Sequence, residues 1–273
     1  MIRGTTRLAA VLGWPVDHSR SPQLLNAAFS AAGIDAVLVP FGVPPDGLPA
    51  AIAGLRAVRA LGASVTIPHK LAALALCDEL TPAAKTIGAV NCLQLDGDTL
   101  IGHNTDEGGF LDGLVEAGFT LRGKRTVLLG AGGAARAVAY GVRGGRAIEV
   151  IARRPETVTW APAWSWTDEH LRDAFARADL VVDCTSIGLG GPDEDAITAK
   201  IPLDALRPEA WVATLVYHRS TRLIERARER GLRTLDGRAM LVHQAARAFT
   251  IWTGAPAPID VMKRALDADL AGT

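Results

Sequence analysis

Cysteine is scarce in this chain. Three of its 273 residues, Cys77, Cys92 and Cys184, form an odd and widely spread set. That excludes a disulfide framework or a cysteine-built zinc site, and inert thiols in a reducing compartment are the reading that remains. An excess of one charge is lacking too. Lys plus Arg and Asp plus Glu number 29 each, so the net charge is zero. A neutral chain offers no bulk attraction to nucleic acid or to an anionic membrane, although a local basic pocket stays open to it. Long apolar runs are missing, because charges, Gly or Pro interrupt each one short of a membrane span. After Arg3 and Arg7, the stretch from Leu8 to Trp14 is too short for a secretion signal, and Pro15 and Asp17 follow it. The cytoplasm is therefore the expected location. Repeats and low-complexity segments are absent, and no metal-ligand cluster, P-loop or Ser-His-Asp order is visible.

What is present is an ordinary globular composition, 49% hydrophobic and 21% charged, on a chain long enough for one or two domains. Apolar patterning alternates between strand and helix. The first half reads as strand Leu8–Gly13, helix Pro22–Ala32, strand Ala36–Phe41 and helix Pro49–Leu61, the last closed by Gly62. Strand Ala63–Ile67, a helix over His69–Leu80, and a hairpin turning at Asp96-Gly97-Asp98 follow. Helix Glu107–Ala117 is stopped by Gly118. A second βα series begins at Arg125–Leu129, and two helices near Met240–Trp252 and Ile259–Leu270 end the chain. Two such series predict two α/β domains, with mostly parallel sheets and a cleft between them. Pro155–Trp166 reads as a long irregular connection, a packed surface loop in preference to a lid.

The apolar run Val127-Leu128-Leu129 leads directly into Gly130-Ala131-Gly132-Gly133-Ala134-Ala135-Arg136. A strand that ends in glycines and opens a helix is the dinucleotide-binding pattern of a Rossmann unit. Glycine permits the tight turn and the close approach of a pyrophosphate, and the helix N-terminus offers free N–H groups and a positive dipole end. In an NAD site an acid at the tip of the second strand takes the ribose 2′-hydroxyl. Here that tip carries Arg153-Arg154, and guanidinium groups suit a 2′-phosphate. A solvated basic turn is the plainer alternative; the position favours NADP.

Upstream, Val65-Thr66-Ile67-Pro68-His69-Lys70 runs from strand towards helix. A lysine in a helix's first turn is electrostatically misplaced, which points to an anion or a polarised oxygen as readily as to solvent. In Gly102-His103-Asn104-Thr105-Asp106-Glu107-Gly108, Thr105 or Asp106 suits a helix N-cap. Brought beside a lysine, Asp106 could instead share a proton with a reacting hydroxyl or ketone. In His18-Ser19-Arg20-Ser21-Pro22, Ser21 reads as an N-cap with Pro22 behind it, and two hydroxyls near free N–H groups also suit a carboxylate.

These segments together resemble the shikimate dehydrogenase family nearly end to end. The resemblance rests on Gly13-Trp14-Pro15-Val16-Asp17-His18-Ser19-Arg20-Ser21-Pro22 with Asn26, Val65–Lys70, and Ile87-Gly88-Ala89-Val90-Asn91-Cys92. It continues through Asn104-Thr105-Asp106, the glycine loop, Met240–Ala246 and Phe249–Gly254. It implies NADPH-dependent, reversible reduction of 3-dehydroshikimate to shikimate in aromatic amino-acid (chorismate) biosynthesis. It implies a catalytic pair, Lys70 and Asp106, and a substrate set of Ser19, Ser21, Thr66, Asn91, Asp106, Tyr217 and Gln244. Cofactor residues would be Gly130, Ala131, Gly132, Gly133, Ala134, Arg153, Arg154, Thr185, Ser186, Gly237 and Met240. The expected organisation is a substrate-binding and catalytic domain over 1–106 plus 239–273 and an NADP-binding domain over 107–238. The expected partner is a small molecule, with no metal, nucleic acid or membrane, for a monomer or homodimer. A quinate or aminoshikimate dehydrogenase, or a non-catalytic NADP-binding sensor, are the alternatives. Four positions depart from the family pattern: Arg154 replaces a threonine beside the family arginine matched by Arg153, Asp183 stands where Asn is usual, and Thr214 and Arg219 replace the Asp and Pro that flank the tyrosine at 217.

Overall fold

The structure, a computed structural model, describes residues 2–271. From the N-terminus it runs β1 (Arg7–Gly13), α1 (Ser21–Ala31), β2 (Ala36–Gly42), α2 (Leu48–Ala57), β3 (Gly62–Val65), β4 (Glu79–Leu80), α3 (Pro82–Ile87), β5 (Cys92–Asp96), β6 (Thr99–His103) and α4 (Asp106–Glu116). These six strands form one mixed sheet in the order β2-β1-β3-β5-β6-β4. The pairs β1/β2, β1/β3 and β4/β6 are parallel, whereas β5 is antiparallel to both neighbours because it joins β6 through the expected hairpin. Gly97 supplies the positive φ that this turn needs.

Three expectations for this half are corrected. The second helix ends at Ala57, and Gly62 opens a strand instead of closing a helix. A Cβ on Gly62 would lie 2.0 Å from the Leu93 carbonyl oxygen and 2.4 Å from Trp252 Nε1, so glycine is there to let backbone and indole approach. No α-helix spans His69–Leu80. That segment is a turn, a short 3-10 stretch over Ala72–Leu76, and β4. Tertiary pairing wins over local propensity here: Asp78 N–H donates to the Leu100 carbonyl, and Asp78 Oδ2 accepts from Leu100 N–H at 2.7 Å and from Arg56. Beyond it, α3 is a helix that the apolar periodicity does not announce. Thr81 caps it, and Gly88 ends it with φ +72.

The second series contains β7 (Arg125–Leu129), α5 (Gly133–Gly141), β8 (Ala147–Ala152), β9 (Ala163–Ser165), α6 (Asp168–Arg177), β10 (Leu180–Asp183), α7 (Glu194–Ala199), β11 (Trp211–Thr214), α8 (Arg222–Glu229) and β12 (Arg233–Leu235). Its sheet has the order β12-β11-β10-β7-β8-β9 and is parallel throughout. The strand order reverses between β7 and β10, which is where a doubly wound sheet opens a crevice at its carboxyl end. The segment expected to be irregular contains β9, paired in register with Val150–Ala152. Leu129, Val181 and Val212 are buried on one face of this sheet and Leu128, Val182 and Ala213 on the other, which is why its strands read as unbroken apolar runs.

Helices α9 (Gly237–Thr253) and α10 (Ile259–Ala271) finish the chain. The chain divides into two compact units, residues 1–109 with 242–273, and residues 110–241. Both junctions fall inside helices, at Gly109 in α4 and Leu241 in α9. They lie slightly beyond the expected boundaries at Asp106 and Arg238. A continuous helix spreads the junction over its own length instead of marking it with a linker. No helix among the described residues is long and apolar enough to cross a membrane.

Candidate active site

In the first unit, strand topology gathers the reactive residues at one end of the sheet. β1, β3 and β6 run the same way and β5 runs against them. The segments that follow β1, β3 and β6, and the one that precedes β5, therefore leave from the same end. They carry Trp14–Ser21, Thr66–Lys70, Asn104–Asp106 and Asn91 respectively.

Lys70 Nζ donates to Asp106 Oδ2 at 2.7 Å. The lysine side chain is 28% exposed and the carboxylate 8%. Asn91 Nδ2 donates to the other oxygen, Asp106 Oδ1, at 2.8 Å and to Thr105 Oγ1 at 3.0 Å, while Asn91 Oδ1 accepts from Thr105 N–H at 2.6 Å. Gln244 Oε1 lies 3.5 Å from the same Asn91 amide. Asn104 pins the loop by donating to the Ala89 carbonyl and accepting from Asp106 N–H. The capping reading of Asp106 is thus corrected. Its carboxylate belongs to the first residue of α4, where the helix dipole favours negative charge, and it is held by a lysine and an amide. The Lys70 side chain stays partly open to solvent. A charged donor beside a buried, fully partnered carboxylate can stabilise an oxyanion and move a proton.

The other predicted residues of this unit fall as follows. Thr66 follows β3, and its Cγ2 sits where a Cβ on Gly13 would reach within 2.5 Å, so a bare Gly13 makes room for it. Ser21 is not the cap of α1; Arg20 occupies that position with no side-chain cap bond, and Ser21, 8% exposed, is the first helical residue. Its N–H points at Ser19 Oγ, 3.4 Å away. Arg20 pairs with Asp269 at 2.7 Å, and Gln23 donates to the same carboxylate, which fixes the Ser19–Ser21 turn against α10. His69 is a core residue, 1% exposed, with Nε2 at 2.7 Å from the Val43 carbonyl.

The second unit holds a cavity of about 900 Å³ at the carboxyl end of its sheet. Gly130, Ala131 and Gly132 form one side, Arg153 and Arg154 another, and Thr185 and Ser186 a third. Gly130 has φ +96, and a Cβ there would meet Thr185. At Gly132 and Gly133 a Cβ would meet nothing within 4 Å, so the backbone faces open space. Gly132 caps α5 without a side-chain bond, and no acid stands in that helix's first turn. Unsatisfied N–H groups at a helix start, bare glycine backbone and two guanidinium groups make up an anion site that fits a dinucleotide with an extra phosphate.

Family models for the shikimate dehydrogenase substrate binding domain and for the shikimate 5′-dehydrogenase C-terminal domain match residues 11–93 and 237–266. A shikimate dehydrogenase (NADP(+)) of Moorella thermoacetica is 43% identical over 97% of this chain and 94% of its own length. The chain belongs to the shikimate dehydrogenase family. The crystal structure of the shikimate 5-dehydrogenase from Thermus thermophilus in complex with NADP(H) and shikimate superposes with a TM-score of 0.85 at 33% identity, covering 96% of this chain and 99% of that one. A quinate dehydrogenase from Corynebacterium glutamicum in complex with NAD reaches 0.84 at 28% identity, covering 96% and 99%.

Within this shikimate dehydrogenase family member, the remaining predicted residues divide. Ala134 lies in the first turn of α5. Gly237 is buried, with N–H bonded to the Val216 carbonyl at 2.9 Å; a Cβ there would lie 2.1 Å from the Leu215 carbonyl oxygen. Met240 packs half-buried on the core beneath β7 and β10. Neither Gly237 nor Met240 lines the cavity. Tyr217 lies in the loop after β11, its ring edge-on to His218.

The departures from the family pattern have local explanations. Thr214 Oγ1 accepts from Val216 N–H, and Arg219 pairs with Glu194. Asp183 Oδ1 accepts from Thr185 N–H at 2.9 Å and from its hydroxyl at 2.6 Å. Burial pushes the Asp183 carboxyl above its ordinary range despite those bonds. Sequence reasoning missed further lining residues of the cavity, Gly191 to Glu194 with Ile197 and Lys200. The one local signal that could have pointed there is the Gly190-Gly191-Pro192 stretch, which suits a shaped loop.

Proposed function

We propose that this chain is an NADP-dependent oxidoreductase interconverting 3-dehydroshikimate and shikimate, with Lys70 and Asp106 as its catalytic pair. The observation that carries the reading is the Lys70–Asp106–Asn91 constellation, a partly exposed lysine held on a buried carboxylate. The cavity with Arg153 and Arg154 supports the choice of cofactor. When bound, NADPH supplies a hydride to the ketone carbon. Negative charge then grows on the ketone oxygen, and the Lys70 ammonium stabilises it and helps deliver the proton. Asp106 orients Lys70 through their hydrogen bond, and accepts from a neighbouring ring hydroxyl.

Ser19 and Ser21 are assigned to the substrate carboxylate, and Thr66, Asn91 and Gln244 to ring hydroxyls. Tyr217 joins this set on the family pattern alone. Gly130 to Ala134 would hold the pyrophosphate, Arg153 and Arg154 the 2′-phosphate, and Thr185, Ser186, Gly237 and Met240 the nicotinamide end. On this reading residues 1–106 with 239–273 serve substrate and chemistry, and 107–238 serve the cofactor. The enzyme acts in the cytoplasm as a monomer or homodimer, without a nucleic-acid or membrane partner. Neutral net charge supports the last point.

The test follows NADPH absorbance at a fixed enzyme concentration with 3-dehydroshikimate, with no substrate, and in reverse with quinate plus NAD. Oxidation only with 3-dehydroshikimate is expected. Turnover with quinate plus NAD alone would move the chain to the quinate-using relatives. Binding without turnover in every arm would make it a sensor.

A further inference from the structure

One wall of the dinucleotide cavity carries the wrong sign for its proposed guest. Glu194 is 6% exposed and is one of the residues lining the cavity. A buried carboxylate facing a ligand that carries several phosphates would repel it, all the more strongly in a poorly screened wall. Glu194 is not left uncompensated, however. The Arg219 guanidinium donates to its Oε2, and Arg222 N–H donates to its Oε1 at 3.1 Å. Burial alone would raise the Glu194 carboxyl; those two bonds and the nearby guanidinium charges hold it below its ordinary range instead, so it stands as an anion neutralised by Arg219.

The same pair joins two loops. Glu194 opens α7 after the turn at Gly190 and Gly191, and Arg219 belongs to the loop between β11 and α8. A Cβ on Gly190 would stand 3.5 Å from the Arg219 guanidinium, and one on Gly188 would stand 2.6 Å from Thr221 Cγ2. The two loops thus pack backbone against side chain, with the ion pair at the cavity end. Arg222 is engaged elsewhere, by Asp195 at 2.9 Å and Glu225 at 2.7 Å. Its charge still favours the Glu194 anion from nearby, but Arg219 is the guanidinium bonded to that carboxylate.

We propose that Arg219 is a positioning residue for cofactor binding, which acts by cancelling the charge of Glu194 in the cavity wall. The proposal rests on the reading of the cavity as an NADP(H) site. It distinguishes a charge role from a purely structural latch, because removing both partners restores the first and not the second.

The experiment is a fluorescence titration of the full-length protein with NADPH, alongside a thermal melt of each variant. Arg219→Ala is expected to weaken NADPH by about tenfold, a change of about 1.4 kcal/mol. Arg219→Lys is expected to keep most of the affinity. The double variant Glu194→Gln with Arg219→Ala is expected to recover most of the loss, and Glu194→Gln alone to bind NADPH at least as tightly as the parent. Should Arg219→Ala fail to fold, Glu194→Gln decides alone. Wild-type affinity in Arg219→Ala, a double variant no tighter than Arg219→Ala, or weaker binding in Glu194→Gln would each overturn the proposal. A parent protein that takes up no NADPH would instead remove the cofactor reading on which it rests.

Discussion

The two units present their polar groups in opposite ways. Around Lys70, Asn91, Thr105 and Asp106, side chains bond to one another inside the first unit, and the carboxylate is nearly sealed. Around Gly130, Gly132, Arg153 and Arg154, backbone and guanidinium groups of the second unit are turned outward, and a side chain added at Gly132 would touch nothing. A group that must act on a reacting bond gains from being preorganised, since no reorganisation is then needed as charge develops. A site for a large polyanion gains from open donors and bare backbone. The difference separates chemistry from holding, and each prediction presses on one side of it.

The largest effect is expected at the sealed constellation. Lys70→Ala should lower kcat by ~100-fold or more while the substrate KM stays nearly unchanged, as read from steady-state initial rates. A near-normal kcat would remove Lys70 from the chemistry. On the open side, Arg153→Ala should weaken NADPH by roughly tenfold to a hundredfold, the range of a charged hydrogen bond, and NADH far less. Equal losses in parallel titrations with both cofactors would reject a 2′-phosphate contact.

Smaller effects concern the frame behind the open side. Gly237→Ala forces a Cβ against the Leu215 carbonyl. It should cost about 1–3 kcal/mol in urea denaturation, the range of overpacked sites. Asp183→Asn should act the other way. Burial raises the pKa of Asp183 in the folded protein, so its ionised form costs stability above the unfolded value, and that cost fades as pH falls through the raised value. The amide oxygen can still accept both Thr185 bonds. The variant should melt slightly higher than the parent at pH 8, with the gain shrinking in acid. A lower melting temperature at pH 8 would show that Asp183 is wanted as an anion.

Sequence reasoning served the second unit best. Strand, glycine loop, helix and second strand follow one another without interruption, so Gly130 to Arg154 can be read as one local message. The first unit's chemistry is less local. Lys70, Asn91 and Asp106 meet only because β3, β5 and β6 pair in the observed register, and the residues alone left Asp106 between a cap and a proton partner. Family resemblance pointed to the pair; the sheet shows how it assembles. What stayed hidden depends on tertiary pairing: the strand at Glu79–Leu80 where helix propensity ran high, the strand at Ala163–Ser165 beside β8, and the wall carrying Glu194. Short edge strands and the brief helix α7 hold too few residues to show a period of their own.

The separation of chemistry from holding is tested most directly by the NADPH dissociation constant of Lys70→Ala, taken by fluorescence titration on the same preparation used for its turnover. The account predicts a dissociation constant equal to the parent's beside a turnover lost by ~100-fold or more. A dissociation constant that rises in step with the lost turnover would contradict it.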